Sequence, residues 1–170
     1  ALAAWKLNKP AVLKKDTDAL ISNDPTAKAD GFLYGLRAKA ELDLNDAKGC
    51  YDDCTAALRL GQKTPWIYAR RGWALVKKGN PKAALKDFNT AIAFPKNDAT
   101  ADAYVGKGAA LRDMKDNAGA LAAYDAALKV DSKSAPIYAT RGWLYGYMNN
   151  FDKALADYNT AIRCDPSYIA

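Results

Sequence analysis

The chain has 170 residues, 50% of them hydrophobic and 26% charged, a composition typical of a globular domain with an apolar core. No stretch approaches the roughly 20 consecutive apolar residues of a membrane-spanning helix, which excludes such a span. The formal charge of +6 permits an acidic partner, and the absence of histidine disfavours acid–base catalysis near neutral pH.

Residues 1–30 are predicted to be an incomplete helix pair, mostly its second helix. The segment 8–25 aligns with the segment 79–96 in its turn, its proline and its apolar positions. Since this alignment makes the segment 8–25 a second helix, we interpret residues 1–7 as the end of a first helix; they also lack the basic start and long apolar run of an intact signal peptide. The chain is therefore expected to begin inside a repeat, as a fragment or a processed form.

The segment 31–64 is predicted to be the first complete helix pair, with Cys50 and Cys54 as small core residues opposite Ala38. Without histidine, and with Cys164 as a distant third cysteine, a metal site lacks ligands, so neither a metal nor another cofactor is expected. Three cysteines are also too few for a disulfide scaffold, which favours a reducing compartment.

The segment 65–100 shows the pattern most clearly. Apolar residues at helical spacing predict one helix over about 65–78 and a second that ends near residue 94. Between them, the Gly-Asn-Pro sequence at 79–81 supplies a helix stop, a cap and a first-turn proline.

The segments 101–134 and 135–170 repeat this organisation, with Asp116 and Asn150 as the predicted caps of their second helices. The period is carried by Tyr34, Tyr68, Tyr104 and Tyr138, which are 34, 36 and 34 residues apart, and by Ala57, Ala91, Ala127 and Ala161 at the same intervals. A period repeated in this way predicts an array of stacked helix pairs.

Small residues are predicted where the two helices of a pair cross, with large residues on either side. The small residues are Gly72, Gly108, Gly142, Ala84, Ala120 and Ala154, and the large ones are Leu75, Leu111, Tyr145, Phe88, Tyr124 and Tyr158. A basic residue accompanies each crossing, namely Arg37, Arg71, Lys107 or Arg141. We expect its stem to lie along apolar surface and its charged head to reach water.

These units resemble tetratricopeptide repeats. The aromatic, small and large residues of each first helix, the second-helix sequence KALADYNTAIRCDP at 153–166 and the 34-residue period are the family's pattern. The four basic residues and Ser132, which replaces a closing proline, depart from it. The resemblance implies an all-α fold in one domain, a right-handed superhelical solenoid of antiparallel helix pairs.

In the family, a second face of the first helices lines a concave groove that holds an extended peptide or a partner helix. The resemblance places in this groove Phe32, Lys39, Leu42, Trp66, Arg70, Trp73, Lys77, Arg112, Trp143 and Tyr147, with Asp43, Val105 and Asp113 beside them. Because the set is aromatic and net basic, we expect a protein or peptide partner with apolar anchors and acidic character. A purely space-filling role for Trp73 and Trp143 stays open.

Three other functions are less favoured. One subclass of the family clamps acidic chaperone tails, but the matching positions here are Gly35, Lys39, Arg70, Asp102 and Gly106, so this clamp is not expected. RNA binding is disfavoured because acids alternate with bases along the chain. The sequence has no phosphate loop, nucleophile motif or metal cluster, so an enzyme is not expected.

The second hypothesis is assembly through terminal helices. Repeat arrays need a polar surface at each end, and Leu155, Tyr158 and Ile162 follow a face that more chain, a second copy or another protein would cover. The cysteine content favours the cytoplasm, and a bacterial periplasm stays open if a signal peptide was removed.

Overall fold

The structure, a computed structural model, describes residues 9–167, which form helices and turns with no β-strand among them. The α-helices are α1 (Pro10–Asn23), α2 (Gly31–Asp43), α3 (Ala47–Arg59), α4 (Pro65–Lys77), α5 (Pro81–Ala93), α6 (Ala99–Asp113), α7 (Asn117–Val130), α8 (Ala135–Tyr147) and α9 (Phe151–Cys164). A short 3-10 turn, Ala27–Ala29, precedes α2. The helix end predicted in residues 1–7 lies outside the described residues. No described helix combines the length and apolar character needed to cross a bilayer.

The turns inside the helix pairs follow the predicted caps. Asn80, Asp116 and Asn150 each accept a hydrogen bond from the backbone N–H three residues later, which confirms all three. The residue before each of these caps has φ between 59° and 72°, and at Gly79 a glycine adopts this conformation without a steric penalty. The chain therefore reverses at the predicted points.

The described chain divides into two compact units, one ending at Pro95 and the other beginning at Lys96. In the first unit α2 packs on α3 and α4 on α5, while α1 contacts α2 and α3 contacts α4. In the second unit α6 packs on α7 and α8 on α9, and α7 contacts α8. Each unit is thus made of successive helix pairs, as predicted.

The size of the residue opposite each crossing decides whether a glycine or an alanine stands there. A β-carbon at Gly72 would lie 2.8 Å from Cε1 of Phe88, which is fully buried, so only glycine fits. In the first pair Ala38 belongs to one buried cluster with Cys50 and Cys54, whose smaller side chains leave room for the extra carbon. This confirms the core role predicted for the two cysteines.

Tyr158 does not reach the burial that its position predicts. Its counterparts Phe88 and Tyr124 are fully buried, whereas Tyr158 is only partly buried. Among the described helices, α8 makes the main contacts of α9, so the opposite side of α9 faces outward.

We expected the charged heads of the basic residues at the crossings to reach water. For the three arginines this expectation was wrong. Each guanidinium donates from Nε and Nη2 to the two oxygens of an aspartate sixteen residues later, at 2.6–2.8 Å. The pairs are Arg37 with Asp53, Arg71 with Asp87 and Arg141 with Asp157. Each aspartate side chain is 8% exposed, so both partners are withdrawn from bulk water. The guanidinium fork matches a carboxylate as an ammonium does not, which accounts for arginine here.

Each arginine–aspartate pair joins the first helix of a helix pair to the second, and an aromatic ring lies beside its guanidinium. The arginine carbon Cζ lies 5.4–6.0 Å from the ring centroid of the tyrosine three residues earlier. The hydrogen bonds that the guanidinium groups donate to the aspartates raise the pKa of all three arginines. The helix pair of α6 and α7 has Lys107 and Ala123 at the equivalent positions and lacks the arginine–aspartate pair.

Glu41, the chain's single glutamate, occupies the position of Leu75 in the next unit and is 4% exposed. Its Oε1 accepts a hydrogen bond from Lys14 Nζ at 3.0 Å, and its Oε2 has no partner among the described residues. Burial and the negative charge of Asp53 raise the pKa of Glu41 to about 7, although Lys14 opposes the shift.

We expect Asp87→Ala to lower the free energy of unfolding by about 2–4 kcal/mol, because Arg71 keeps a half-buried charge without its carboxylate. Urea denaturation followed by circular dichroism measures the change. The matched control is Asp52→Ala, which removes the exposed pair with Lys48 and should cost less than about 0.5 kcal/mol. Equal losses in both variants would contradict a special role for the buried pairs.

The raised pKa of Glu41 predicts a pH dependence of stability. The folded chain keeps the proton up to about pH 7, whereas the unfolded chain releases it near 4.5, so the unfolding free energy falls as the pH rises between these values. The loss should be on the order of 3 kcal/mol. It should be absent in Glu41→Gln, whose amide does not titrate. Urea denaturation at several pH values tests this, and parallel profiles for the two proteins would refute it.

Candidate functional site

An apolar pocket lies between α2 and α4 of the first unit. Its volume is about 380 Å³, and it is lined by Phe32, Leu36, Lys39, Trp66 and Arg70. Four of these five residues belong to the predicted groove, and Leu36 is new. Helical spacing brings them together, since positions 32, 36 and 39 share one face of α2 and positions 66 and 70 share one face of α4.

The indole of Trp66 forms a wall of this pocket and rests directly on the backbone of α2 at Gly35. A β-carbon at Gly35 would lie 2.9 Å from Cζ3 of Trp66 and 2.8 Å from Cδ1 of Ile67. The guanidinium carbon of Arg70 lies 5.0 Å from the centroid of the Trp66 ring, and its Nη1 donates to the Gly35 carbonyl at 3.3 Å. The indole therefore has a defined place between the two helices.

Sequence reasoning did not assign Gly35 or Leu36 to the site. A signal for Gly35 was present, because it is a glycine inside a helix, on the face that carries Phe32 and Lys39. Such a residue weakens a helix and often marks a close approach of another group.

The predicted basic residues of the first unit have neighbours of their own. Lys39 Nζ forms an ion pair with Asp43 at 2.7 Å, and Lys77 Nζ donates to the Asn45 side-chain oxygen at 2.7 Å. The positive charge of Lys39 is therefore largely offset at the pocket edge.

Trp73 and Leu42 pack on the core instead of lining the pocket. The Trp73 ring meets buried Phe88 edge-on, with centroids 5.6 Å apart and planes at 77°. Leu42 packs against the cluster that contains Cys50 and Ile67. These contacts give both residues a structural role, and a binding role for either stays a prediction.

In the second unit, three predicted groove residues lie together on the surface. Trp143 and Tyr147 are stacked with centroids 5.6 Å apart and planes at 11°, and they are 49% and 55% exposed. The guanidinium of Arg112 lies 5.4 Å from the Trp143 ring and also pairs with Asp113 at 2.8 Å. Two adjacent exposed aromatic rings form the kind of apolar patch found at interaction sites.

The cleft between α6 and α8 corresponds in position to the pocket of the first unit but has the opposite chemistry. Its volume is about 300 Å³, and Pro136 and Thr140 stand where the first unit has Trp66 and Arg70. The acidic residues that line it are Asp98, Asp102 and Asp131. None of its described lining residues is basic, so the predicted net-basic character does not extend to this cleft.

The predicted assembly residues lie on one outward face of α9. Leu155 and Ile162 are 62% and 43% exposed, and Tyr158 is partly buried between them. Phe151, which sequence reasoning did not include, extends the stripe and is 67% exposed. The four residues follow the spacing of a single helical face.

The cysteines do not form a metal site among the described residues. Within 9–167, no group of three or more cysteines and carboxylates is placed to hold a metal ion. Cys50 and Cys54 are buried free thiols, and Cys164 is exposed. The hydrogen bond with Cys54, together with burial, raises the pKa of Cys50, so its thiol stays protonated.

Two family models, both described as tetratricopeptide repeat, match this chain. One covers residues 69–136 and the other residues 135–168. Together they extend over more than half of the sequence. No match is found among curated protein sequences.

Solved structures match nearly the whole chain. TTC0263, a thermophilic TPR protein of Thermus thermophilus, has a TM-score of 0.81 at 18% identity, over 99% of this chain and 89% of that one. YrrB, described as a TPR protein with an unusual peptide-binding site, has a TM-score of 0.68 at 23% identity, over 98% and 84%. MamA from Desulfovibrio magneticus RS-1 has a TM-score of 0.74 at 16% identity, over 99% and 93%. These similarities confirm the predicted tetratricopeptide-like fold of helix pairs.

Proposed function

This chain belongs to the tetratricopeptide repeat family, whose fold is that of a protein–protein interaction scaffold, and we propose that it binds a linear peptide or a partner helix. The pocket of the first unit and the Trp143–Tyr147 stack of the second are the proposed contact surfaces. Proteins of this family are in general non-enzymatic scaffolds, and we propose no catalytic role.

The pocket between α2 and α4 is the observation that carries this proposal. It is concave and mainly apolar, with a volume of about 380 Å³, and Phe32 at its edge is 40% exposed. Apolar pockets with a few polar groups at the rim are the usual binding sites for side-chain anchors. The peptide-binding site named for YrrB, a protein of the same fold, supports this reading.

The stacked rings of Trp143 and Tyr147 offer a second contact surface. Together they expose a broad apolar area. Binding to it should cost little side-chain conformational entropy, because the stack already fixes both rings. Arg112 beside them would orient a polar or acidic group of the partner.

The acidic character of the partner is the weaker part of the proposal. Asp43 and Asp113 neutralise two of the four predicted cations, Lys39 and Arg112. The apolar anchors therefore supply most of the binding energy that we propose, and the remaining positive charge acts mainly on orientation and association rate.

Selection from a random peptide display library should yield peptides that bind the intact chain. We expect Phe32→Ala to weaken a peptide that binds the pocket, and the double variant Trp143→Ala with Tyr147→Ala to weaken a peptide that binds the stack, each about tenfold, which corresponds to about 1.4 kcal/mol. Fluorescence anisotropy measures the affinity. These residues are exposed, so the variants should keep the fold.

The matched control is Phe151→Ala, an exposed aromatic residue outside both surfaces, which should leave the affinity unchanged. Failure to select any peptide, or affinities that are equal in all variants, would rule out the proposed binding surfaces. A steep fall of affinity for single-stranded RNA with salt, without peptide binding, would favour the nucleic-acid alternative.

A second candidate function is self-assembly, which the exposed stripe on α9 favours. Phe151, Leu155 and Ile162 are 67%, 62% and 43% exposed, and large apolar side chains on one helix face favour burial against another helix. Copies of the chain that associate through this face would cover the stripe. This role is compatible with peptide binding elsewhere on the molecule.

Sedimentation velocity over a concentration series tests assembly. We expect the wild-type chain to show a dimer or larger species that Leu155→Asp dissociates, because burying a carboxylate in an apolar contact is unfavourable. Leu44→Asp, at a comparably exposed leucine on the turn after α2, is the control and should not alter association. A wild-type chain that stays monomeric throughout the series would contradict this candidate.

A further inference from the structure

We infer that the pocket of the first unit takes one uncharged, bulky apolar side chain of the partner, and that Gly35 is the specificity-determining residue that keeps this pocket open. The inference rests on the proposed function and deepens it, because it names the chemistry of the anchor and a residue that selects for it. Neither Gly35 nor Leu36 is among the groove residues predicted above, although Gly35 stands at a position that the family's chaperone-tail clamp uses.

Gly35 controls the pocket because the indole of Trp66 uses the space that a β-carbon would fill. Besides the indole carbon Cζ3 at 2.9 Å, the added atom would meet Cδ1 of Ile67 at 2.8 Å. Ile67 is fully buried in the core cluster, so its displacement would disturb close packing. The indole of Trp66, whose carbon Cη2 is the nearest atom to the added β-carbon, must shift as well, and the open volume beside it is the pocket. A single methyl group at position 35 therefore reduces the space for a ligand.

This arrangement is particular to the first unit. The positions equivalent to Gly35 in the later helix pairs are Ala69, Val105 and Ala139, each of which carries a β-carbon. In the second unit, the cleft that corresponds to the pocket is lined by Val105 and Pro136 instead of a glycine and a tryptophan. A glycine inside a helix costs about 1 kcal/mol relative to alanine, so a compensating contact such as the seat for Trp66 is expected.

The charges around the pocket favour a neutral side chain. A ligand ammonium would approach two cations, Lys39 and Arg70. A ligand carboxylate would compete with Asp43 for Lys39, since these two already form an ion pair at 2.7 Å. Arg70 lies against the Trp66 ring and donates to the Gly35 carbonyl, so its guanidinium also serves as part of the wall. An apolar side chain meets none of these costs.

The size and lining of the pocket indicate a large side chain. Its volume of about 380 Å³ is near the lower end of the range for small-ligand pockets, which suits one residue with its adjoining backbone. Leu36 is buried beneath it, and Phe32 at the edge presents an exposed ring. Phenylalanine and leucine side chains match this lining through burial of apolar surface and, for phenylalanine, ring contacts.

The experiment uses four small probes, the N-acetyl amides of phenylalanine, leucine, aspartate and lysine. Titration of the intact chain is followed by the indole N–H signal of Trp66 in ¹H–¹⁵N spectra, which is assigned with Trp66→Phe. We expect saturable shifts with the phenylalanine and leucine amides, and binding at least tenfold weaker with the aspartate and lysine amides.

Gly35→Ala should weaken binding of the phenylalanine amide at least tenfold. The matched control is Gly146→Ala in α8, where an added β-carbon finds its nearest neighbour, Cβ of Ala154, at 3.9 Å, so the affinity should be unchanged. If Gly35→Ala does not fold, Phe32→Ala at the exposed edge provides the test, with an expected loss of at least threefold.

Two results would overturn the inference. One is binding of the aspartate or lysine amide as tight as that of the phenylalanine amide. The other is unchanged binding of the phenylalanine amide in Gly35→Ala or, where that variant is unfolded, in Phe32→Ala. If selected peptides bind the chain while either result holds, the proposed function stands and this anchor is wrong. If the apolar amides bind but no peptide does, the pocket is as described and the proposed function fails.

Discussion

The bidentate arginine–aspartate pair is the interaction on which three of the four complete helix pairs of this protein depend. In each of these three helix pairs it connects the first helix to the second, with the guanidinium fork on both carboxylate oxygens at 2.6–2.8 Å. Because the aspartates are almost fully buried, each would be an uncompensated charge without its arginine, so the pair ties the rotation and register of the two helices to each other. The helix pair of α6 and α7 has Lys107 and Ala123 instead. It relies on apolar packing such as the contact of buried Tyr124 with Gly108.

This constraint also determines which surfaces are available for binding. Once the arginine face of a first helix is engaged with the second helix, the residues at the neighbouring helical positions turn toward the next first helix or toward solvent. In the first unit, that second face brings Phe32, Leu36 and Lys39 opposite Trp66 and Arg70. In the second unit it exposes the Trp143 and Tyr147 rings. The repeated core thus supports surfaces that differ in chemistry from unit to unit.

Part of the candidate site could be predicted from the sequence because helical spacing specifies which residues share a face. Trp66 and Arg70 were placed together on this ground, and so were Trp143 and Tyr147, whereas the family resemblance placed Phe32 and Lys39 in the same groove. The same reasoning could not distinguish the environment of Trp73 from that of Trp143, because both follow a glycine at the same position of a first helix. The difference depends on the contact of Trp73 with the buried ring of Phe88, a distance between two helices that spacing along one helix does not specify. The acidic cleft at Asp98 and Asp131 was missed for the same reason, since its residues come from separate segments.

By itself, the sequence determined the helix pairs, their caps and the positions of the crossing residues. These features depend on interactions within about four residues of the chain or on a repeated period, and both can be read along one dimension. Only the tertiary structure decided that the arginine heads pair with buried aspartates and that Gly35 seats the Trp66 indole. Each of these depends on which side chain of another helix occupies the adjacent space, and that is determined only when the helices pack together.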